Sequence, residues 1–111
     1  MTKDQLVQKY MDVFYRSSDF DSLHNIFSSD LKFEGPLYAF NTAKAYISSL
    51  KKSPPVNCSY EIIDEYSNED SVCLIYHFIK GGKKTTMAQT FTIESGRIIA
   101  IRLIFNVQAI T

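Results

Sequence analysis

The feature that most constrains the fold is a change of hydrophobic period at residues 53–55, Ser-Pro-Pro. Before this segment apolar side chains recur about every 3.6 residues, as on an amphipathic helix, and after it they alternate with a period of about 2. Proline cannot continue a helical hydrogen-bond ladder, so the helical half ends there. Helices followed by an antiparallel meander predict an α+β fold, in which the helices cover one face of a sheet.

Three helices are predicted in the first half. The first begins at the capping-box pair Thr2 and Gln5. The second is shorter and ends at the turn signal of residues 28–30, and a strand fragment over 31–34 follows it. Asn41 is the predicted N-cap of the third helix. The apolar residues of the three helices, in order, are Leu6, Tyr10, Val13 and Phe14; Phe20, Leu23, Ile26 and Phe27; and Ala43, Tyr46, Ile47 and Leu50.

Turn signals at residues 67–70, 81–82 and 94–96 divide the second half into four strands. An even loop at Gly81-Gly82 and a three-residue loop at 94–96, with Gly96 in the left-handed region, set the register. This register predicts an inward apolar face of Leu74, Tyr76, Phe78, Met87, Gln89, Phe91, Ile93, Ile99, Ile101, Leu103 and Phe105.

The opposite face of the predicted sheet is rich in threonine and isoleucine. A mixed face of this kind is typical of a surface that meets a second subunit, and we predict a homodimer through it. An ordinary exposed sheet face is the alternative. The residues of this face are Cys73, Ile75, His77, Thr86, Ala88, Thr90, Thr92, Ile98, Ala100, Arg102 and Ile104.

Composition excludes several classes of function. Twelve acidic and twelve basic residues leave no net charge, which argues against a nucleic-acid-binding surface. No apolar run approaches the ~20 residues of a membrane span, so we expect a cytoplasmic protein with one domain over residues 1–111. Cys58 and Cys73 lack metal-ligand spacing, and the register places them near Ile79 and Asp64, too far apart to bridge. No metal or cofactor is predicted.

The order of elements resembles a known superfamily. Helix, helix, short strand, Gly-Pro break, helix and four-strand meander, with "YMDVFYRSSDFDSLHNIFSSDLKFEGP" at 10–36 and the hairpin at 91–98, resemble the nuclear-transport-factor-2-like (NTF2-like) superfamily. SnoaL-like domains and ketosteroid isomerase are the most similar members. The resemblance implies a cone-shaped, cystatin-like α+β fold with three N-terminal helices on a curved, mainly antiparallel sheet. Its open end is a ligand pocket that members use for isomerisation, cyclisation, hydration or plain binding.

The resemblance to ketosteroid isomerase also implies site positions. Tyr10 falls near the tyrosine that donates to the developing enolate oxygen, and Gln89 falls on the protonated aspartate that completes the oxyanion hole. The general-base position falls on Gly35, with Glu34 one residue earlier. The acidic residue that often ends the last strand of SnoaL-like domains is Asn106 here.

Three functions are compatible with these residues. The first is a SnoaL-like binding protein for a small apolar molecule. The second is an isomerase, cyclase or hydratase acting on a small apolar carbonyl or polyketide-like substrate, with Glu34 as base and Tyr10 with Gln89 as oxyanion donors. The third is a dimeric interaction module with a vestigial pocket. The predicted cavity residues are Tyr10, Phe14, Tyr38, Tyr46, Tyr76, Met87, Gln89, Phe91 and Leu103, with Leu37, Tyr38 and Phe40 at its rim.

Each candidate residue also has a structural alternative. Glu34 beside a Gly-Pro turn is compatible with a solvated side chain, and Tyr10 on an apolar helical stripe with a core tyrosine. Gln89 is the polar residue on the inward face, so it either bonds Tyr10 or a water or contacts a ligand. His77 falls on the outer face, opposite Thr86 or Ala88, where a surface role is favoured over general-base catalysis.

Overall fold

The computed structural model describes residues 1–109. These residues form helices in the first half, a six-stranded sheet and a short C-terminal turn of helix. The elements are α1 (Lys3–Arg16), the 3₁₀ helix η1 (Phe20–Asn25), β1 (Phe27–Glu34), β2 (Ala39–Phe40), α2 (Ala43–Lys52), β3 (Cys58–Ser67), β4 (Ser71–Lys80), β5 (Lys83–Glu94), β6 (Arg97–Ile104) and the 3₁₀ helix η2 (Val107–Ala109).

The six strands form one curled sheet in the order β2-β1-β6-β5-β4-β3. Neighbours are antiparallel except β1 and β6, which are parallel. The helices pack on the concave face, so the predicted α+β architecture is confirmed. The buried side chains between the layers form one cluster that includes Leu6, Tyr10, Leu23, Phe27, Leu31, Tyr46, Ile47, Val72, Tyr76, Phe91, Ile98 and Ile101.

The first helix begins as predicted. The backbone N–H of Gln5 donates to Thr2 Oγ1 at 3.2 Å, and the backbone N–H of Thr2 donates to Gln5 Oε1 at 2.8 Å. This reciprocal pair is a complete capping box, and it satisfies two backbone donors at the helix N-terminus. The predicted Asn41 cap of the last long helix is wrong, because Thr42 Oγ1 accepts from the N–H of Ala45 at 3.1 Å.

The predicted second helix is shorter than expected, and the strand after it is longer. The chain forms one 3₁₀ segment and then enters β1 at Phe27, where we expected helix until residue 28. Ile26 and Phe27 are buried as predicted, but they are buried by the sheet: the N–H of Ile98 donates to the carbonyl of Ile26 at 2.8 Å. Pairing with β6 therefore extends a fragment predicted for residues 31–34 into an eight-residue strand.

The β4–β5 hairpin confirms the even loop. Lys80 pairs with Lys83, and the two glycines between them have φ of 60° and 77°. Left-handed conformations at both turn positions match the twist of the strands and favour glycine. The resulting register sets Leu74 opposite Gln89 and Tyr76 opposite Met87, which puts these four side chains on the concave face.

The β5–β6 hairpin corrects the predicted three-residue loop. Glu94 pairs with Arg97, so the loop is the two residues Ser95 and Gly96, both with positive φ. A bulge at Ile99 then adds one residue to β6, because Ile93 pairs with Ile98 while Thr92 pairs with Ala100. Ile98 is therefore the fully buried residue and Ile99 is half-buried, the reverse of the prediction.

Beyond the bulge the predicted inward face of β6 holds, although the pairing is shifted by two residues, because the predicted loop would set Phe91 opposite Ile99. Phe91 pairs with Ile101 and Gln89 with Leu103 on the concave face, and Thr90 pairs with Arg102 on the outer face. The two-residue turn shifts the inward–outward alternation of β6 by one residue relative to the predicted loop, and the extra residue at Ile99 shifts it back. The same face of β6 therefore meets the helices as in the prediction, although the turn differs.

The two cysteines are free thiols on β3 and β4. Cys58 lies opposite Lys80 and Cys73 opposite Tyr66, a displacement of one or two residues from the predicted partners. The displacement arises because β3 continues to Ser67 and carries a bulge between Ile62 and Asp64. Within residues 1–109, none of the helices is long and apolar enough to cross a membrane.

Candidate functional site

A cavity of about 570 Å³ opens between the helices and the concave face of the sheet. It lies where β4 and β6 end and where β1 turns into β2. Its walls are mainly aromatic and aliphatic. The lining residues are Tyr10, Phe14, Tyr15, Phe33, Gly35, Pro36, Leu37, Tyr38, Phe40, Tyr46, Ser49, Leu50, Lys52, Ser53, Pro55, Tyr76, Phe78, Met87, Gln89, Leu103 and Phe105.

The predicted cavity residues line this space with the exception of Phe91. Phe91 lies on the predicted face but is completely buried, and its ring meets the Tyr10 ring edge-on at 5.4 Å between centroids. The cavity ends at Tyr10, so Phe91 supports that ring from behind. Alternation along β5 identifies the correct face, but it cannot say how deep the cavity extends.

Buried polar groups form a connected cluster at the closed end of the cavity. The hydroxyls of Tyr10 and Tyr46 are 2.6 Å apart. Gln89 Nε2 donates to the Tyr10 hydroxyl at 3.4 Å, and the Tyr76 hydroxyl donates to Gln89 Oε1 at 2.8 Å. All four side chains are at most 3 % exposed. A glutamine amide on an apolar face is thereby paired with tyrosines from α1 and β4.

This cluster leaves one hydroxyl proton available. Tyr10 and Tyr46 carry two O–H protons, and the single hydrogen bond between them uses one. Whichever tyrosine donates in that bond, the other hydroxyl keeps a proton for which the described residues provide no further acceptor. Both residues line the cavity, so the closed end can donate a hydrogen bond to an acceptor placed inside it.

Four tyrosines of the cavity wall, Tyr10, Tyr15, Tyr46 and Tyr76, are held in the neutral form. Burial raises the pKa of Tyr10 to about 12, although the hydrogen bonds with Tyr46 and Gln89 oppose the rise. Burial, with the nearby hydroxyl of Tyr10, also raises the pKa of Tyr46 well above its usual value. Desolvation is again the main cause of the raised pKa values of Tyr15 and Tyr76. At neutral pH these groups are hydrogen-bond donors and not bases.

Glu34 does not reach this cavity. Its carboxylate lies 3.6 Å from Arg102 Nε, and both side chains are mostly exposed. The two residues are opposite each other in the parallel β1–β6 pair, and the preceding Phe33 points inward and is 8 % exposed. Strand alternation therefore turns Glu34 outward, so the geometry that a catalytic Glu34 requires is absent.

The segment after Glu34 forms the rim of the cavity. The N–H of Gly35 donates to the carbonyl of Tyr38 at 2.9 Å, which closes a tight turn before β2. Leu37 and Tyr38 are 49 % and 67 % exposed, which is high for large apolar side chains. A Cβ on Gly35 would lie 3.3 Å from the Phe33 ring, so the position that corresponds to the ketosteroid isomerase base has little room for a side chain.

Among the described lining residues the only charged side chain is Lys52, and none is aspartate, glutamate, histidine or cysteine. Asn106 lies outside the cavity, where its side chain accepts from the N–H of Gln108. His77 lies on the outer face opposite Thr86, as predicted, and its Nδ1 is buried without a hydrogen-bond partner. Within residues 1–109 no cluster of histidine, cysteine and acidic residues could hold a metal.

Sequence reasoning missed several residues of the wall. Phe33 stacks on Tyr46 with 4.4 Å between centroids, and the alternation of residues 31–34 was the signal for it. Tyr15 packs on Phe14 at 4.7 Å, although it falls off the helical stripe that identified Phe14. The remaining omissions are Gly35, Pro36, Ser49, Leu50, Lys52, Ser53, Pro55, Phe78 and Phe105.

No family model and no curated protein sequence matches the chain. Solved structures do match it. An NTF2-like protein of unknown function from Cytophaga hutchinsonii is 19% identical with a TM-score of 0.82, over 97% of this chain and 93% of its own. An epoxide hydrolase of M. tuberculosis, described as LEH-like, is 18% identical with a TM-score of 0.75, over 95% of this chain and 83% of its own.

A third match is a proposed isomerase of the SnoaL-like family from Agrobacterium tumefaciens. It is 11% identical with a TM-score of 0.74, over 92% of this chain and 95% of its own. These identities are low, and the similarity extends over nearly the whole of each chain. The chain therefore has the NTF2-like fold, which SnoaL-like and ketosteroid-isomerase-like proteins share.

Proposed function

We propose that the protein binds a small, mainly apolar molecule that presents a hydrogen-bond acceptor, such as a carbonyl oxygen, to the closed end of the cavity. The observation that carries this proposal is the unused hydroxyl proton of the Tyr10–Tyr46 pair at the end of an apolar cavity of about 570 Å³. A cavity of this size falls in the range of small-molecule sites, about 300–1,000 Å³.

Binding is favoured over catalysis because a base is lacking. Proton transfer next to a carbonyl needs a group that accepts a proton near neutral pH and lies within hydrogen-bond reach. The described lining residues offer Lys52 and tyrosines whose buried members have raised pKa values, and Glu34 is paired with Arg102 on the other side of the sheet. An isomerase, cyclase or hydratase built on Glu34 is therefore the less supported alternative.

The volume of the cavity also argues against an interaction module with a vestigial pocket. A pocket that had lost its ligand would be expected to fill with side chains, since close packing of apolar groups stabilises a domain. Here aromatic rings surround open space, and two large apolar side chains at the rim stay exposed.

Fluorescence of the neutral apolar dye N-phenyl-1-naphthylamine tests occupancy of the cavity. We expect the dye to bind the wild-type protein and to lose affinity in Leu103→Trp, because a larger side chain at this lining position fills the space. Tyr66→Trp is the control, since this residue of β3 is 59 % exposed and does not line the cavity. Equal binding to both variants would refute the location, and no binding to the wild type would refute the proposal.

The polar end is tested with two competitors of the dye. 2-Acetylnaphthalene carries a carbonyl oxygen, and 2-ethylnaphthalene has a similar shape without an acceptor. The double variant Tyr10→Phe, Tyr46→Phe should bind the ketone about fivefold more weakly, which corresponds to one hydrogen bond of about 1 kcal/mol. It should bind the hydrocarbon unchanged. Equal losses for both competitors would contradict a direct hydrogen bond.

A further inference from the structure

The lysine pair at residues 51–52 is divided between an ion pair and the cavity. Lys51 Nζ lies 3.1 Å from Asp21 Oδ1 and donates to both oxygens of that carboxylate. Lys52 lines the cavity and makes no salt bridge within the described part of the chain. Both lysines are exposed at the C-terminal end of α2, so their difference lies in the partner and not in burial.

The pair at residues 83–84 is divided in the same way. Lys84 Nζ lies 3.8 Å from Glu61 Oε1. Lys83 alternates with the inward residues Thr85 and Met87 and therefore lies on the concave face, and its partner Lys80 alternates with Phe78 on the same face. Neither Lys80 nor Lys83 makes a salt bridge within residues 1–109.

Three carboxylates lie at the opposite end of the sheet, where Arg97 is the pairing partner of Glu94. Glu69 and Asp70 lie in the β3–β4 turn, and Glu94 ends β5. These exposed carboxylates and the lysines of the β4–β5 hairpin lie at opposite ends of β4 and β5, in a molecule with a longest dimension of 38 Å. Lys52 lines the cavity, and Lys80 and Lys83 lie outside its lining at the hairpin end of β4 and β5, so the field at this end of the molecule attracts anions.

We propose that the ligand is an apolar carboxylate whose charged end lies at the mouth against Lys52, with Lys80 and Lys83 adding to the attraction. This inference rests on the proposed binding function and adds the charge of the ligand. An anion buried among the aromatic walls would be strongly disfavoured, because the described deep residues offer no countercharge. At the mouth the carboxylate keeps contact with water and meets unpaired ammonium groups.

Competition against N-phenyl-1-naphthylamine tests the charge. The competitors are decanoate and decanamide, which share a chain length and differ in charge. At low ionic strength we expect decanoate to displace the dye at about fivefold lower concentration, the effect of a partly exposed ion pair. Added salt should reduce this ratio, because it screens exposed charges.

Two double variants separate a local contact from total charge. Lys52→Gln, Lys83→Gln should bring the decanoate-to-decanamide ratio close to one, while Lys51→Gln, Lys84→Gln removes the same charge from the ion-paired lysines and should leave the ratio near the wild-type value. Equal competitor strength in the wild type, or equal effects of the two variants, would overturn the inference while the cavity proposal stands. Failure of the dye itself to bind would overturn both.

Discussion

Four tyrosines of the cavity wall, of which Tyr15 is half-buried and the other three are buried, predict a steep loss of stability at alkaline pH. Tyr10, Tyr15, Tyr46 and Tyr76 all have raised pKa values in the folded protein, chiefly through burial. In the unfolded chain a tyrosine ionises with a pKa of about 10. Above that pH the folded state holds more protons than the unfolded state. The stability from these four groups is therefore fully present below pH 10 and is lost as the pH rises further.

The slope follows from the number of groups. Each proton retained on folding changes the free energy of unfolding by about 1.4 kcal/mol per pH unit, so four tyrosines give about 5 kcal/mol per unit. The contribution of Tyr10 stops growing near its folded pKa of about 12. A domain of this size is stable by about 5–15 kcal/mol. We therefore expect cooperative unfolding between about pH 11 and 13.

Ultraviolet absorbance of tyrosinate and near-ultraviolet circular dichroism, recorded on the same samples, measure this transition. About four of the seven tyrosines should ionise only where the dichroism is lost. Tyr76→Phe should lower the slope by about 1.4 kcal/mol per pH unit. Tyr66→Phe is the control, because this residue is 59 % exposed. Gradual ionisation of all seven with the dichroism intact would refute the reasoning.

Three further predictions concern the cluster, a turn and the outer face. Gln89→Leu should lower the free energy of unfolding in urea by about 1–3 kcal/mol, because Tyr76 loses its acceptor, and a stability equal to that of the exposed control Gln8→Leu would contradict this. Ser95→Gly should raise the thermal midpoint through a gain of about 0.5–1 kcal/mol, since Ser95 has a φ of 53°; an unchanged midpoint would count against strain there. If the outer face forms the predicted homodimer, sedimentation should show a dimer that Ile104→Lys converts to a monomer. A monomeric wild type would end that prediction.

The sequence predicts most of the fold because its strongest signals are local. The capping box at Thr2, the proline stop after α2 and the glycine pair at 81–82 each fix a boundary without reference to the rest of the chain. The length of β1 is not predicted, because it depends on contacts between distant parts of the chain. This strand pairs in parallel with β6, which lies about 70 residues later, and no periodicity within residues 27–30 indicates a strand there.

The sequence predicts which residues face the candidate site, but it does not predict the size of the cavity. Alternation and helical spacing identify Tyr10, Tyr46 and Gln89 as inward residues, and the structure brings their polar atoms together. The depth of the cavity depends on how far the curled sheet stands from the helices, which a linear pattern does not contain. Strand alternation after the inward residue Phe33 turns Glu34 outward, where its carboxylate lies 3.6 Å from Arg102 Nε.

The bulge at Ile99 marks a position where this hairpin can change in length. Deleting Ile99 would join Ile98, which lies opposite Ile93, directly to Ala100, which lies opposite Thr92, so these pairs and the later pairs of β6 would stay in place. Leu103 would still line the cavity, and Arg102 would still face outward beside Glu34. Related chains that lack one residue here should therefore keep the same inward face on β6.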